Sequence, residues 1–288
     1  MKIAIVGGAG KMGLWLARFL LQDKHEVILI DSDAARLVSA RTQLGVEASP
    51  DKNAVQEAEA IVISVPIDRF EEAAKELSQH VREGQIAVDI TSVKAMPVDV
   101  MHRYLGRCRV LGAHPVFGPG ASGLAGHNVV LTPTCDAESE LALKTKPYLE
   151  ARGAHVQLMT PEEHDRLMAV VLGLAHFIAI VSGDTLLALD NLRNMEHASG
   201  VTFRLLMTLV GSVLGEDPSL YASIQNNLPG LPAIEKDFIK KASQWAELVK
   251  HKDSAEFVRC MNELRVKLEQ STSGSSAAYA DMYRITSR

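Results

Sequence analysis

Cysteine is scarce in this chain of 288 residues: Cys108, Cys135 and Cys260 are odd in number and far apart. That excludes a disulfide framework and a cysteine-built metal centre, and it fits a reducing compartment, so a cytoplasmic location is expected. Positive charge is also in deficit, with 30 Lys+Arg against 35 Asp+Glu and a formal net charge of −5. Nucleic-acid binding, which needs a basic surface, is therefore not expected. Long hydrophobic runs are missing too. The opening "MKIAIVGGAG" meets glycines too soon to be a signal-peptide core. The most apolar stretch, Leu167 to Val181, contains His176 and is flanked by Asp165, Arg166 and Asp184, whereas a bilayer span takes about 20 apolar residues. It reads as a helix surrounded by protein, with no membrane involved. What remains as a partner is a small molecule, or a second copy of the chain.

The length exceeds what one hydrophobic core usually organises, so two domains are expected. Up to residue 158, short β-branched runs ("KIAIV", "EVILI", "AIVISV", "QIAVDI", "CRVLGA", "NVVLT", "HVQLM") alternate with helical patterns that begin near Lys11, Asp33, Asp68, Lys94 and Asp136. This alternation predicts an α/β, Rossmann-type doubly wound domain with a mostly parallel sheet. Residues 159–270 change period and read as all helix. Thr160 is an N-cap, Pro161 takes the first helical position, and Glu163 completes the capping box. Helices are expected from Pro161 to about Asn191, about His197 to Gly215, Pro218 to about Asn227, Pro232 to His251, and Asp253 to about Gln270. The remainder, 271–288, reads as a polar tail, loose or ordered only against a partner. The helical half carries more apolar surface than it can bury alone, which predicts a homodimer.

Chemistry first shows in "IAIVGGAGKMG", where a strand runs into Gly8, Gly10 and Gly13 at GxGxxG spacing. The first glycine permits a tight turn, the second a close backbone approach to a pyrophosphate, and the third close packing of helix on strand. With Ala9, Lys11 and Met12 between them, these residues place free amides of a helix N-terminus against phosphate charge. Asp31, 18 residues after Gly13, ends the next strand, where a carboxylate binds ribose hydroxyls and repels a 2′-phosphate. NAD is thus the expected cofactor. Arg36, one turn into the following helix, is the residue that would offset Asp31 in favour of NADP.

Three further strand ends face the crevice where such sheets bind ligands: "SVP" with Val65 and Pro66, "DITSVK" with Ser92 and Lys94, and "GAHPVFGPG" with His114. A neutral imidazole suits removal of a hydroxyl proton while hydride leaves the same carbon. Ser92 is placed to orient the histidine or touch cofactor or substrate, and Lys94 to hold a carboxylate. The plainer alternatives are a helix-capping serine, a solvated lysine and a packed loop histidine. No metal-ligand cluster is visible.

In this order, "IVGGAGKMG", "SVP", "ITSVK", "HPVFGPGASG", "EHDRLMAVVLGLAHF" and "DPSLYASIQ" resemble the prephenate dehydrogenase family, especially its archaeal members. The resemblance implies a nucleotide-binding domain followed by an all-helical dimerisation domain. It further implies NAD-dependent oxidative decarboxylation of prephenate to 4-hydroxyphenylpyruvate, a step towards tyrosine. By position His114 resembles the family's catalytic histidine, Ser92 the serine beside it, and His176 a second histidine of the substrate pocket. One position departs. Where the family commonly carries an arginine for the substrate carboxylate, this chain has Ser212. Arg204, two turns earlier, is the candidate to replace it; a surface arginine is the other reading. Arogenate or 4-amino-4-deoxyprephenate therefore stay open as substrates. A hydroxyacid or imine reductase, and a non-catalytic dinucleotide-sensing regulator, remain the broader alternatives.

Overall fold

The computed structural model describes residues 1–271 and 278–286. Its strands are β1 (Lys2–Val6), β2 (Glu26–Ile30), β3 (Glu47–Ser49), β4 (Ala60–Ile63), β5 (Ile86–Asp89), β6 (Arg109–Pro115), β7 (Asn128–Thr132) and β8 (His155–Leu158). The helices are α1 (Lys11–Gln22), α2 (Ala34–Leu44), α3 (Phe70–Leu77), α4 (Ala95–Tyr104), α5 (Asp136–Glu150), α6 (Pro161–Met168), α7 (Ala175–Leu187), α8 (Leu192–His197), α9 (Val201–Leu214), α10 (Pro218–Asn227), α11 (Leu231–Lys250), α12 (Ser254–Ser271) and α13 (Ala278–Thr286). A π-helical turn, Ala169–Leu174, precedes α7. The chain divides into two compact units, one of residues 1–168 with 223–228, the other of 169–222 with 229–288.

The first unit is a single eight-stranded sheet in the order β3-β2-β1-β4-β5-β6-β7-β8. Every pairing is parallel except that between β6 and β7. The doubly wound, mostly parallel domain expected from the alternation is what forms. Side chains alternate across the strands, so Ala4, Val6, Ile28 and Ile30 join one core with Phe70, Leu77 and Met101, while Ile3, Ile5, Val27 and Leu29 join another with Ala17, Leu20 and Leu37. Helices cover both faces, which is why these strands read as continuous apolar runs. The three-residue β3 was not expected: "EAS" is too short and too polar to signal a strand, and it forms only as an edge beside β2.

The second unit is helical, and its described residues contain no strand. Gly183 of α7 lets Leu214 and Val210 of α9 approach, since a Cβ there would sit 2.6 Å and 3.1 Å from their side chains. Trp245 of α11 meets Phe257 of α12 edge-on at 5.0 Å. Three expectations change here. The helix expected to reach Asn191 ends at Leu187, and the segment before His197 forms its own helix, α8. In the tail, Ala278–Thr286 is helix packed on α9 rather than loose chain, while residues 272–277 and 287–288 lie outside the described residues. The apolar segment is not surrounded by protein. Pro161–Leu187 is by length and composition apolar enough to cross a membrane, yet 28% of its most apolar window is buried. Val170, Val171 and Val181 keep 50%, 51% and 42% of their surface exposed. Among the described residues nothing covers that face.

Candidate active site

The strand-to-helix turn after β1 is built around four glycines, of which Gly7, Gly8 and Gly13 leave no room for a Cβ. Gly7 has φ +77°, and a Cβ on it would lie 2.3 Å from the Ser64 carbonyl and 3.1 Å from Val65. The turn thus lies directly against the "SVP" segment after β4. A Cβ on Gly8 would meet the Ile5 carbonyl at 2.7 Å, and one on Gly13 the Gly7 carbonyl at 2.6 Å. Gly10 is more open, its nearest neighbour being the Gly7 carbonyl at 3.3 Å. It forms the N-cap of α1 with no side chain in the way, the concave amide-lined surface that a pyrophosphate requires. Lys11 and Met12 open that helix.

Asp31, just beyond β2, reaches back to this loop: Oδ2 accepts from the Ala9 amide at 3.1 Å and Oδ1 from the Asp33 amide at 3.0 Å. Arg36 does not offset it. Its guanidinium pairs with Asp33 at 3.1 Å, and its amide donates to the Asp33 cap of α2. The residues fit a dinucleotide with free ribose hydroxyls: a glycine turn cleared of side chains, followed by a carboxylate with no cation paired to it among the described residues.

The ends of β4, β5 and β6 are neighbours in the sheet, so "SVP", "DITSVK" and "GAHP" open on one edge. Ser92 is half-buried in the turn between β5 and α4. Lys94 departs from expectation. Its side chain is wholly buried, with Nζ 2.5 Å from Asp89 Oδ2 and 2.7 Å from the Ala113 carbonyl. The carboxylate it holds is the protein's own, because β5 ends on an inward-facing acid that needs a cation when buried. Burial pushes the Asp89 carboxyl up and the Lys94 ammonium down, each opposed by the other's charge. Thr91 completes the cluster, donating to Asp89 Oδ1 through its amide at 2.8 Å and its hydroxyl at 2.7 Å.

His114, near the end of β6, is 4% exposed. Its Nδ1 lies 2.8 Å from Nε2 of His164, whose Nδ1 lies 2.7 Å from Asp165 Oδ1. Asp165 in turn accepts the amides of Lys94 at 2.7 Å and Ala95 at 2.9 Å, closing the N-terminus of α4 with negative charge. Burial lowers the His114 pKa well below the ordinary imidazole value, and the Lys94 charge and His164 push the same way. The ring is neutral at neutral pH, as a proton acceptor must be. The loop that follows is anchored on α1: Trp15 Nε1 donates to the Ala121 carbonyl at 2.6 Å and the indole meets Phe117 edge-on at 4.9 Å. Gly112 is forced by packing, since a Cβ would lie 2.3 Å from Thr132 Oγ1 and 2.7 Å from Val98.

In the helical unit, His176 packs edge-on against Tyr221 at 4.8 Å, and its Nδ1 is buried with no hydrogen-bond partner among the described residues. Burial lowers its pKa. Ser212 is exposed and turned onto its own helix, donating to the Leu209 carbonyl at 2.8 Å. Arg204 is exposed on α9 and lines a cavity of about 1140 Å³ with Phe203, Met207 and Arg284. Among the described residues no group of three or more His, Cys, Asp or Glu is placed to hold a metal ion.

Comparison with known proteins decides the relationship. Residues 16–158 match the model of the prephenate dehydrogenase nucleotide-binding domain, and residues 160–263 that of the prephenate dehydrogenase dimerization domain. The chain belongs to the prephenate dehydrogenase family. A probable arogenate/prephenate dehydrogenase of Methanocaldococcus jannaschii is 34% identical over 267 residues, 91% of this chain and 60% of that protein. The chain thus spans about 60% of the length of that relative. A 4-amino-4-deoxyprephenate dehydrogenase of Streptomyces pristinaespiralis is 25% identical over 92% of this chain and 90% of its own. Among solved structures, prephenate dehydrogenase of Aquifex aeolicus in complex with hydroxyphenyl propionate and NAD+ is similar with a TM-score of 0.77 at 25% identity, covering 94% of this chain and 98% of that one. The first family match begins at residue 16, past the glycine turn, so the reading of that turn rests on its own geometry.

His164, Asp165 and Asp89 did not stand out in the sequence. His164 and Asp165 lie in a helix start rich in charge, "TPEEHDRLM", where a solvated face is the ordinary reading. Burial alone separates them from their neighbours: His164 is 0% exposed and Asp165 2%, whereas Glu162 and Glu163 are exposed. The available signal was helical spacing, which puts His164 and Met168 on the same buried face.

Proposed function

We propose that this member of the family carries out NAD-dependent oxidative decarboxylation of prephenate to 4-hydroxyphenylpyruvate, with His114 as the base. The observation that carries the reading is a neutral, buried histidine at the crevice edge of β6. Gly8, Ala9, Gly10, Lys11, Met12 and Gly13 would hold the pyrophosphate, and Asp31 the ribose, with Val65, Pro66 and Ser92 along the same edge of the sheet. NAD, when bound, supplies the acceptor for the hydride that the hydroxyl-bearing ring carbon gives up. His114 removes that hydroxyl's proton, the ring carboxylate leaves as carbon dioxide with its bonding pair entering the ring, and the phenol oxygen regains a proton. Aromatisation drives the step, so the protein mainly orients the substrate, balances its two anionic groups and handles one proton. NAD is favoured over NADP because Arg36 is engaged by Asp33. His176 and Arg204 are proposed substrate contacts on the strength of the family resemblance. The dimerization-domain match and the uncovered apolar face of the helical unit support a homodimer.

A second reading, arogenate or 4-amino-4-deoxyprephenate as substrate, is supported by the similar arogenate/prephenate and 4-amino-4-deoxyprephenate dehydrogenases; all three compounds keep the ring carboxylate, so Ser212 bears on them alike. The test is NADH formation by the purified protein with NAD and each of the three compounds offered separately. Turnover of prephenate at the highest kcat/KM is expected, and His114→Asn should lower kcat by about 10²–10⁴-fold while NAD affinity stays close to that of the native protein. Turnover of none of the three despite NAD binding would overturn the enzyme reading, and leave the dinucleotide sensor.

A further inference from the structure

The chain of contacts behind His114 has a direction, and the direction follows from which atoms can donate. Asp165 accepts two backbone amides, Lys94 N–H on Oδ1 and Ala95 N–H on Oδ2, and an amide N–H has no acceptor role. Both carboxylate oxygens are therefore acceptors, and His164 Nδ1, 2.7 Å from Oδ1, carries the proton between them. A neutral His164 protonated on Nδ1 presents a lone pair on Nε2. His114 Nδ1, 2.8 Å away, must then be the donor of their shared bond. What is left on His114 is a lone pair on Nε2, the other edge of the ring, which makes no hydrogen bond among the described residues and is not among the sealed, unpartnered atoms. Without an acceptor at His164, burial alone would leave either tautomer of His114 open, and one of them presents a proton where the reaction needs a lone pair.

We propose that His164 and Asp165 are positioning residues that hold His114 in the Nδ1–H tautomer, with Nε2 as the proton acceptor. The proposal rests on the reading of His114 as the base. The charged groups acting on the ring are few. Lys94 faces it from the turn before α4 with Asp89 behind, and His164 faces it from α6 with Asp165 behind. From β7 the paired residues are Thr132, Leu131, Val130 and Val129, none of them titratable, and α5 lies on the other face of the sheet, with Leu141 and Ala142 against Ala113 and Leu131. The tautomer is thus set by one hydrogen-bonded line, which ends on the backbone of α4.

The experiment is nitrogen-15 NMR of the full-length chain labelled at histidine, with the His114 ring assigned by its loss in His114→Asn. At neutral pH the native protein should show His114 Nδ1 protonated and Nε2 bare. Asp165→Ala removes the carboxylate that keeps the proton on His164 Nδ1, so the line is no longer held in one direction. Part of the His114 population should then be protonated on Nε2, with kcat lowered at least about tenfold and KM little changed. His164→Gln, whose carbonyl oxygen still accepts from His114 Nδ1, should keep the tautomer and lose less than about tenfold in kcat, below the roughly 10²–10⁴-fold that a general base contributes. A native His114 protonated on Nε2, or Asp165→Ala with unchanged tautomer and unchanged kcat, overturns the proposal. The spectra need no substrate, so they decide the tautomer even where no compound is turned over, an outcome that counts against the enzyme reading alone.

Discussion

The sheet unit and the helical unit bury their apolar residues by different means. In the sheet unit alternate residues of β1 and β2 enter two cores, and helices close both within one copy of the chain. In the helical unit Leu187, Val258 and Leu214 keep 65%, 58% and 47% of their surface exposed, and no residue of α12 is buried. A parallel sheet covered on both faces completes its core alone. Helices apolar on more than one side do not, and their remaining surface is what a second copy would cover. The groups that can set a histidine's protonation need a closed, low-dielectric setting, and the whole line from Asp89 and Lys94 to His114, His164 and Asp165 lies in the closed unit. The open unit holds Arg204, which is exposed.

The largest effect that would sharpen this contrast is expected at Lys94. Replacing it with methionine leaves Asp89 buried without its cation, a change that costs about 3–5 kcal/mol in other proteins. Asp89→Asn in the same chain should restore most of the loss, because asparagine still accepts from Thr91 and carries no charge. The two tryptophans fall one in each unit, Trp15 and Trp245, so urea unfolding followed by Trp15 fluorescence in a Trp245→Phe background reports the sheet unit. A single substitution as mild as the double one would mean that the pair adds nothing to the closure of this unit.

Association should break next, and only in the other unit. The native chain is expected to have a dimer's mass by light scattering at micromolar concentration. Val181→Glu, on the exposed side of α7, should weaken the dimer at least about tenfold, roughly 1.4 kcal/mol, and leave the Trp15 transition in place. A native monomer would remove the explanation given for the uncovered apolar face.

The legible part of the sequence follows the same division. Periodicity placed seven strands and the helices of the sheet unit, because burial on both faces leaves a strong apolar signal, and it missed β3, whose residues are polar and only edge-paired. Glycine spacing, Asp31 and His114 were legible since their chemistry depends on local sequence. Lys94, His164 and Asp165 were misread or passed over for a common reason. A charged residue in a charged stretch looks solvated, and only tertiary structure joins the turn after β5 to the start of α6, 71 residues apart. In the helical unit the apolar pattern gave the helices but not what covers them, which is why Leu167 to Val181 was expected to be enclosed.

The smallest effect tests the rule that exposure sets the worth of a charge pair, now within the sheet unit. Asp23 Oδ2 accepts from Arg152 Nε at 2.6 Å and from the Tyr148 hydroxyl at 2.5 Å, with the arginine and aspartate side chains 30% and 20% exposed. The Arg152 contact lowers the Asp23 pKa most; burial opposes it, and the Tyr148 hydroxyl adds to the lowering. A carboxyl lowered on folding stabilises the protein above its ordinary range, and that contribution fades as pH falls through the lowered value. Arg152→Met should therefore cost about 0.5 kcal/mol at neutral pH, far less than Lys94→Met, and the gap from the native protein should narrow steadily in acid. Arg152 also lies 3.7 Å over the Tyr148 ring. If the gap stays constant from neutral pH into acid, the guanidinium acts by stacking on that ring rather than by its charge on Asp23, and the contrast with the buried Lys94 pair is one of contact type, not of exposure.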